Sequence, residues 1–250
     1  MYVRVCSKSE KATDTDVYVN TSDFNDILIY FKSLHYADVQ DSPLAGKSIT
    51  LIGDSLAYGN QLGNDAVWLH QLCQKYDMQE HNLGINGNAV ARSENGTSTA
   101  MVDRFKDIPR SDYIVLLGGA NDKRLSVPIG ENSDNTETTF KGALNLIIDG
   151  IREMYPEAKL LFLTNYNRYP TLNLLSLTDI DYVEAMKEIC ALKCVPCFDN
   201  YHCSGIYFQD ESLLEWQDEG LSLGRAANHH LSVKAYQWIS NRYEQELLKL

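Results

Sequence analysis

Short runs of β-branched and aliphatic residues alternate with longer stretches of helical spacing from about residue 46 to the C-terminus. The runs end at glycine, asparagine or aspartate, a pattern typical of strands bounded by turns. The pattern predicts five strands, at 48–53, 81–83, 112–117, 159–164 and 195–199. Runs such as 112–117 are apolar at nearly every position, which indicates strands that are buried on both faces of a parallel sheet.

The stretches between the strands predict helices. The clearest is 140–154, where apolar residues recur at helical spacing and Pro156 follows the last of them. Further helices are predicted at about 65–77, at 179–193 and after Ser232, a candidate N-cap. Strands that alternate with helices pair in parallel through right-handed crossovers. The chain is therefore predicted to be α/β: a three-layer α/β/α sandwich of about five parallel strands with flavodoxin-like topology.

Residues 1–45 have a different pattern. Residues 2–5 and 16–19 alternate between apolar and polar like half-exposed strands, and residues 24–31 have the pattern of a short helix. A linker is predicted at 41–46. We therefore expect two parts: an N-terminal β-containing extension or remnant of an upstream domain at 1–45, and the main domain at 46–250.

The charge balance narrows the choice of partners. The chain carries 22 basic and 34 acidic side chains, a formal net charge of -12. Phosphate backbones and anionic lipids repel such a protein, so we expect neither nucleic acid nor membrane as a partner. No segment approaches the ~20 apolar residues of a membrane span, and the N-terminus lacks the apolar core of a signal peptide. The chain as written is expected to be cytoplasmic, or extracellular if it is a fragment of an exported protein.

Six cysteines are too few for a disulfide scaffold in 250 residues. Cys194 and Cys197, flanked by Cys190 and Cys203, raise the alternative of a thiolate metal site. A structural zinc site with two cysteine pairs needs a longer spacer than these residues offer. The sequence around Cys197 instead favours a short buried strand, in which cysteine packs as a small apolar residue. We expect no metal and no cofactor.

Polar, glycine-containing segments follow the first three strands of the main domain. They are Gly53-Asp54-Ser55-Leu56, Gly84-Ile85-Asn86-Gly87-Asn88 and Gly118-Gly119-Ala120-Asn121-Asp122, and a fourth, Asn228-His229-His230-Leu231-Ser232, precedes the last helix. Carboxyl ends of parallel strands share one edge of the sheet, where ligands bind. Acyl transfer needs a nucleophile, a base that takes its proton, and N–H donors aimed at the oxyanion, and these segments contain all three.

In this order the four segments resemble the motif blocks of the SGNH/GDSL hydrolase family, over about residues 47 to 250. The resemblance implies that Ser55 is the nucleophile and His230 the general base. It also implies that the Ser55 and Gly87 N–H groups and the Asn121 side-chain amide form the oxyanion hole. Each block alone is short, but four of them in the family's order are a specific signal.

The last block departs from the family, which usually carries an acid three residues before the histidine. Ala227 occupies that position here. Three arrangements are open: a Ser55–His230 dyad oriented by a backbone carbonyl, an acid supplied from elsewhere, or a slow enzyme. The nearest upstream acids are Asp218 and Glu219. A register slip of one residue would exchange the roles of His230 and His229.

The sequence therefore predicts a serine-dependent carboxylic ester hydrolase of the lipase-like GDSL class. A long apolar loop for a long acyl chain is missing, so a carbohydrate or small-ester deacetylase is expected, with a small-molecule or glycan ester as its partner. The segment 165–170 follows the fourth strand onto the same edge. Its Tyr166 and Arg168 are candidate substrate-binding residues, because an aromatic ring and a guanidinium suit stacking on and hydrogen bonding to a sugar. The sequence does not define the oligomeric state.

Two alternatives belong to other functional classes. The first is a catalytically impaired carbohydrate-binding or structural module on the same fold, and it is motivated by Ala227. The second is a nucleotide site, suggested by the topology and the glycine-containing loops. It ranks last, because the chain contains neither a Gly-x-Gly-x-x-Gly nor a Walker pattern.

Overall fold

The computed structural model of the chain describes residues 2–5, 17–20, 39–96, 99–168, 170–217 and 230–250. Side chains are described from residue 39 onward within these ranges, except that of Leu214. The chain divides into two compact units, Met1–Ala45 and Gly46–Leu250. The helix predicted at 24–31 lies outside the described residues.

The first unit contains an antiparallel strand pair. Strand β1 spans Tyr2–Val5 and strand β2 spans Val17–Asn20, with Tyr2 opposite Asn20 and Val5 opposite Val17. Both strands were predicted from the alternation of apolar and polar residues, and the second begins one residue later than predicted.

The second unit is built on a five-stranded parallel sheet. Its strands are β3 (Ser48–Gly53), β4 (Gln79–Gly84), β5 (Tyr113–Leu117), β6 (Lys159–Leu163) and β7 (Cys197–Phe198). The strand order is β4-β3-β5-β6-β7, and all neighbours pair in parallel. This order confirms the predicted flavodoxin-like sheet. Strand β7 covers only two of the five residues predicted for it. The order changes direction at β3, and ligands bind at such a switch point in open α/β sheets.

Helices cover both faces of this sheet. They are α1 (Ser55–Tyr58), α2 (Trp68–Tyr76), α3 (Met101–Arg104), α4 (Ala120–Arg124), α5 (Phe140–Met154), α6 (Asp179–Leu192), α7 (Asn200–Cys203) and α8 (Val233–Leu248). Short 3₁₀ turns occur at Asn64–Ala66, Phe105–Asp107 and Glu211–Trp216. No helix within the described ranges is long and apolar enough to cross a membrane.

Two apolar layers hold the helices to the sheet. On one face, the buried stripes of α5 and α6 pack with β5 and β6 in a single cluster that includes Phe140, Ile147 and Phe162. On the other face, α2 and α8 meet through Trp68 and Tyr243, whose ring centroids are 4.8 Å apart in an edge-to-face arrangement. The three-layer α/β/α sandwich predicted from the sequence is therefore present.

Helix α1 lies directly on the carboxyl end of β4. The Asn82 side-chain amide donates to the Ala57 carbonyl at 2.7 Å. A Cβ atom on Gly84 would lie 2.2 Å from the Tyr58 backbone nitrogen and 2.5 Å from the Ala57 carbonyl carbon. Glycine is therefore required at residue 84, because α1 could not approach β4 this closely over any side chain.

We expect Gly84→Ala to lower the free energy of unfolding by about 1–3 kcal/mol, the usual cost of forcing an extra methyl group into a packed site. The methyl group would meet backbone atoms of α1, which cannot rotate out of its way. Urea denaturation measures the change. Asn86→Ala is the matched control, because Asn86 is exposed two residues further along the same segment. Equal midpoints for Gly84→Ala and Asn86→Ala would contradict the close packing.

Candidate active site

Ser55 is the first residue of the one-turn helix α1, immediately after the end of β3. The Asp54 carboxylate caps this helix by accepting the Leu56 N–H at 2.9 Å. The helix ends at Gly59, whose φ of 84° is left-handed. Strand, cap and turn together hold the Ser55 side chain at the switch point of the sheet, where it is 9% exposed.

The structure brings Ser55 and His230 together. His230 Nε2 lies 2.9 Å from Ser55 Oγ, although 175 positions separate the two residues in the chain. This distance is that of a hydrogen bond, and it is the geometry in which an imidazole removes the proton of a hydroxyl nucleophile. His230 is also 9% exposed, so the pair is largely shielded from bulk water.

The segment after His230 is fixed on both sides. Leu231 forms an antiparallel bridge with Gln217, and the Ser232 N–H donates to the Trp216 carbonyl at 2.9 Å. Ser232 also caps α8, as the sequence predicts, by accepting the Ala235 N–H. The position of the imidazole therefore depends on where α8 begins.

Helix α8 is in turn bonded to the turn that carries Ser55. The Tyr236 hydroxyl donates to the Leu56 carbonyl at 2.8 Å. The elements that hold Ser55 and His230 are therefore joined directly, in addition to the contact between the two side chains.

The candidate oxyanion donors are the Ser55 N–H at the start of α1, the Gly87 N–H in the loop after β4, and the Asn121 side chain in α4. Gly87 has a φ of 74°, a left-handed conformation that favours glycine. The N–H groups of Ser55 and Gly87 make no hydrogen bond within the described part of the chain. Asn121 Nδ2 donates to Asp54 Oδ2 at 3.2 Å. This hydrogen bond uses one of the two N–H groups of the Asn121 amide and leaves the other for a ligand.

Arg124 fixes the orientation of the Asn121 amide, and sequence reasoning missed this residue. Its Nε donates to Asn121 Oδ1 at 3.0 Å, so the amide nitrogen must face the other way, towards Asp54. Its Nη2 also reaches the Gly87 carbonyl at 3.4 Å. Arg124 thus holds two of the three candidate oxyanion elements while remaining exposed.

Arg104 is a second missed residue, buried beneath the site with 8% exposure. Its guanidinium donates to the Gly53 carbonyl at 3.0 Å and to the Leu83 carbonyl at 2.7 Å. It also donates twice to Asn88 Oδ1, at 3.0 and 2.6 Å. Burial lowers the pKa of Arg104 to about 10. No local pattern marks this residue, because its acceptors are mostly backbone carbonyls far away in the sequence.

Two buried carboxyl groups lie beneath the candidate donors. Burial raises the pKa of Asp54 from 3.8 to about 6, against the opposing effects of the Leu56 N–H, Arg168 and Asn121. Burial likewise raises the pKa of Asp122 from 3.8 to about 7. Asp122 accepts two backbone N–H groups at 2.9 Å each, those of residues 90 and 91. Both carboxyl groups therefore titrate close to neutral pH.

The two predicted substrate-binding residues are placed differently from expectation. Tyr166 is 1% exposed, and its hydroxyl is 2.6 Å from that of Tyr243. Its ring and hydroxyl belong to the protein interior, so this placement corrects the substrate-binding prediction for Tyr166. Arg168 is largely buried and donates to the Asp179 carboxylate. It acts on the site through its charge, which lowers the pKa of Asp54.

Asn60 contacts the other ring nitrogen of His230. Asn60 Nδ2 and His230 Nδ1 are 3.2 Å apart. This is the side of the imidazole that the acid of the family motif serves, and the sequence offered no sign of Asn60. The segment 218–229 lies outside the described residues. It contains the acid candidates Asp218 and Glu219, the motif position Ala227 and the alternative base His229.

The described cysteines do not assemble a metal site. The side chains of Cys190 and Cys197 are hydrogen-bonded to each other. This hydrogen bond and burial hold the pKa of the Cys190 thiol well above its usual value. Among the described residues, one group has metal-ligand spacing: Glu184, Asp199 and His202. The Lys187 ammonium already lies 2.8 Å from Asp199 and from Glu184, where it neutralises both carboxylates.

Comparison with known proteins identifies the class to which this fold and site belong. The GDSL-like Lipase/Acylhydrolase family matches residues 51–238, well over half of the 250 residues. The chain belongs to this family. A search among curated proteins finds no match.

Solved structures share the fold. A protein from Lactobacillus plantarum is 24% identical, with a TM-score of 0.71, and the match covers 81% of this chain and 97% of that one. A putative GDSL-like lipase from Bacteroides ovatus is 18% identical, with a TM-score of 0.60 and coverages of 82% and 99%. A family two carbohydrate esterase from Clostridium thermocellum, solved as an active site mutant, is 16% identical, with a TM-score of 0.53 and coverages of 81% and 63%.

We expect the raised pKa of Asp122 to make stability depend on pH. The folded-state pKa of about 7 lies above the ordinary 3.8, so the folded protein holds this proton over that interval. The contribution to stability is complete below about pH 4 and is lost as the pH rises through 7. Relative to Asp122→Asn, the wild type should lose about 3 kcal/mol of unfolding free energy between pH 5 and pH 8.

Urea titrations of the wild type and of Asp122→Asn at several pH values measure this difference. Asp122→Asn loses one of the two side-chain oxygens that accept backbone N–H groups, which shifts its stability at every pH and does not affect the slope. Asp149→Asn is the control, because it makes the same aspartate-to-asparagine change at an exposed position of α5. A difference that stays constant from pH 5 to pH 8 would show that Asp122 does not titrate in this range.

Proposed function

We propose that this chain is a serine-dependent ester hydrolase that acts on small acyl esters of a carbohydrate or another small alcohol. The observation that carries the proposal is the 2.9 Å contact between Ser55 Oγ and His230 Nε2 beneath a set of N–H donors. Membership of an acylhydrolase family supports the reaction class.

The reaction proceeds in two acyl transfers. Ser55 Oγ attacks the ester carbonyl carbon while His230 Nε2 takes its proton. The negative charge that develops on the carbonyl oxygen is received by the Ser55 and Gly87 N–H groups and by the free N–H of Asn121. Collapse of this intermediate expels the alcohol, which leaves with the proton from His230. Water then attacks the acyl-serine by the same route, and the carboxylic acid and free Ser55 are released.

The steps use these side chains, the two backbone N–H groups and water. The Asn121 amide is already oriented by Arg124 and Asp54, so its donor need not reorganise as the charge forms. Preorganised donors of this kind are worth about 10²–10³ in turnover each.

The proposed substrate class rests on the polar character of the loops and on a structural likeness. The residues around Gly87 and Asn121 include the exposed Asn86 and Arg124, which suit hydrogen bonding to sugar hydroxyls. The family two carbohydrate esterase shares the fold with this chain. A small acyl group such as acetyl fits a site that offers mainly polar contacts.

One observation favours a second candidate, hydrolysis of longer acyl esters. Leu172, Leu174 and Leu175 are 68%, 88% and 46% exposed. Their loop is tied to α4 through the Asn173 side chain, which donates to the Lys123 carbonyl at 3.1 Å. Three exposed leucines beside the helix that carries Asn121 could contact an apolar chain.

We expect the wild type to hydrolyse p-nitrophenyl acetate and Ser55→Ala to lose about 10³-fold or more of that activity. The substitution removes the nucleophile and leaves the fold intact, so the unfolding free energy should change by less than about 1 kcal/mol. Ser212→Ala, at an exposed serine, is the control. Equal rates for wild type and Ser55→Ala would refute the serine mechanism, and glycan binding without turnover would favour the non-catalytic module.

A series of p-nitrophenyl esters from acetate to octanoate separates the two substrate classes. We expect kcat/KM to be highest for acetate and unchanged by Leu174→Ser, because a short acyl group does not reach the exposed leucines. A maximum at octanoate that Leu174→Ser lowers would reject the small-acyl proposal in favour of the second candidate.

A further inference from the structure

We propose that Asn60 is the positioning residue that orients the His230 imidazole for catalysis, in the place where related enzymes use an acid. The proposal rests on the proposed esterase function and concerns the same site. It starts from the contact between the Asn60 side-chain amide and His230 Nδ1, which are 3.2 Å apart.

The backbone delivers Asn60 to this position from the nucleophile turn itself. The N–H groups of Gly59 and Asn60 both donate to the Ser55 carbonyl, at 3.0 and 3.1 Å. Both residues are left-handed, with φ of 84° and 35°. Asparagine and aspartate enter this conformation more readily than other residues with a side chain. The turn therefore reverses directly after α1 and directs the amide of Asn60 towards the imidazole.

The chemistry of the imidazole decides what this contact must do. For His230 Nε2 to accept the Ser55 proton, the ring proton has to sit on Nδ1. Nδ1–H then needs an acceptor, and the Asn60 side-chain oxygen supplies one after a half-turn of the amide, whose oxygen and nitrogen are nearly identical in shape. The structure has the amide nitrogen facing Nδ1. In that orientation Nε2 carries the proton and cannot act as a base, so the half-turned amide is the catalytic one and the orientation of Asn60 decides the tautomer.

An asparagine orients the ring but adds no charge. An acid in the same place would also stabilise the imidazolium that forms when Ser55 loses its proton. The motif position three residues before the histidine holds Ala227, which has no carboxyl group. Asn60 consequently supplies the orienting part of the acid's role, and its variants distinguish orientation from charge.

Three variants test the assignment by kcat, KM and the pH profile of kcat/KM with p-nitrophenyl acetate. Asn60→Leu removes the acceptor, and we expect kcat to fall about tenfold or more with KM within about twofold, as for loss of a tautomer-selecting group. Asn60→Asp presents a carboxylate oxygen to Nδ1 whichever way the side chain is turned, and it adds a negative charge. We expect it to keep or raise kcat and to raise the apparent pKa of the acidic limb by about one unit.

The third variant, Asn64→Asp, controls for added charge. Asn64 is exposed in the following 3₁₀ turn. Asp54, which titrates at about 6, and Arg168 also act on the site, and Asp218 and Glu219 belong to the segment before His230. The effect of position 60 is therefore the apparent pKa of the acidic limb in Asn60→Asp minus that in Asn64→Asp.

The outcomes separate this proposal from the proposed function. No Ser55-dependent turnover in the wild type would refute the esterase itself. Ser55-dependent turnover that Asn60→Leu leaves unchanged, or an Asn60→Asp profile that coincides with that of Asn64→Asp, would overturn the role of Asn60 alone. If Asn60→Leu does not fold, Asn60→Asp still decides, because a merely structural residue would move stability and not the pH profile.

Discussion

The buried guanidinium of Arg104 is the contact on which the geometry of this site depends. A charged group is costly to bury unless its hydrogen bonds are satisfied, and Arg104 satisfies them with carbonyls at the carboxyl ends of two neighbouring strands. Gly53 is the last residue of β3 and Leu83 is the last but one of β4, just before the two segments that supply Ser55 and Gly87. Arg104 also holds Asn88, the residue after Gly87. One side chain therefore fixes the position of the turn that carries Ser55 relative to a candidate oxyanion donor.

Buried carboxyl groups fix the position of the Asn121 side of the site. Asp54 caps α1 with one oxygen and accepts from the Asn121 amide with the other, so the helix that carries Ser55 and the amide of Asn121 share one partner. Burial raises the pKa of Asp54 and of Asp122, which means that their ionised forms cost stability in the folded state. Shifted carboxyl groups of this kind concentrate at functional sites, where rigid placement of donors outweighs the loss of stability.

The fold was predictable because strands and helices leave periodic patterns in the sequence. The five parallel strands follow from short apolar runs bounded by turn residues, and the helix at Phe140–Met154 follows from helical spacing. Strand β7 was predicted at 195–199 and spans only Cys197–Phe198, because the pattern of such a short edge strand does not mark where its pairing begins and ends. The meeting of Ser55 with His230 was predictable only through the order of four motif blocks, since no local pattern joins residues this far apart.

The remaining site residues could not be predicted, because each acts through a long-range contact. Arg104 and Arg124 are single basic residues at the ends of short helices, and their acceptors are set by tertiary packing. Tyr166 follows β6 in a segment whose composition suits a sugar-binding loop. The structure turns it inward to Tyr243, a partner on α8 that no pattern near residue 166 indicates.

The turn at Gly59 and Asn60 links the contact at His230 Nδ1 to the helix that carries Ser55. Ser55 and the residue that contacts His230 Nδ1, Asn60, lie on the same six residues, 55–60, and are joined by the Ser55 carbonyl. A displacement of α1 would carry both groups together, so the distance from Ser55 Oγ to His230 Nε2 and the contact at Nδ1 would change in step. An acid in the segment before the histidine is placed by a separate loop and lacks this coupling. A site that orients its imidazole from the nucleophile turn therefore depends less on the segment before the histidine. In such a site the residue at position 227 is free of the need to be an acid.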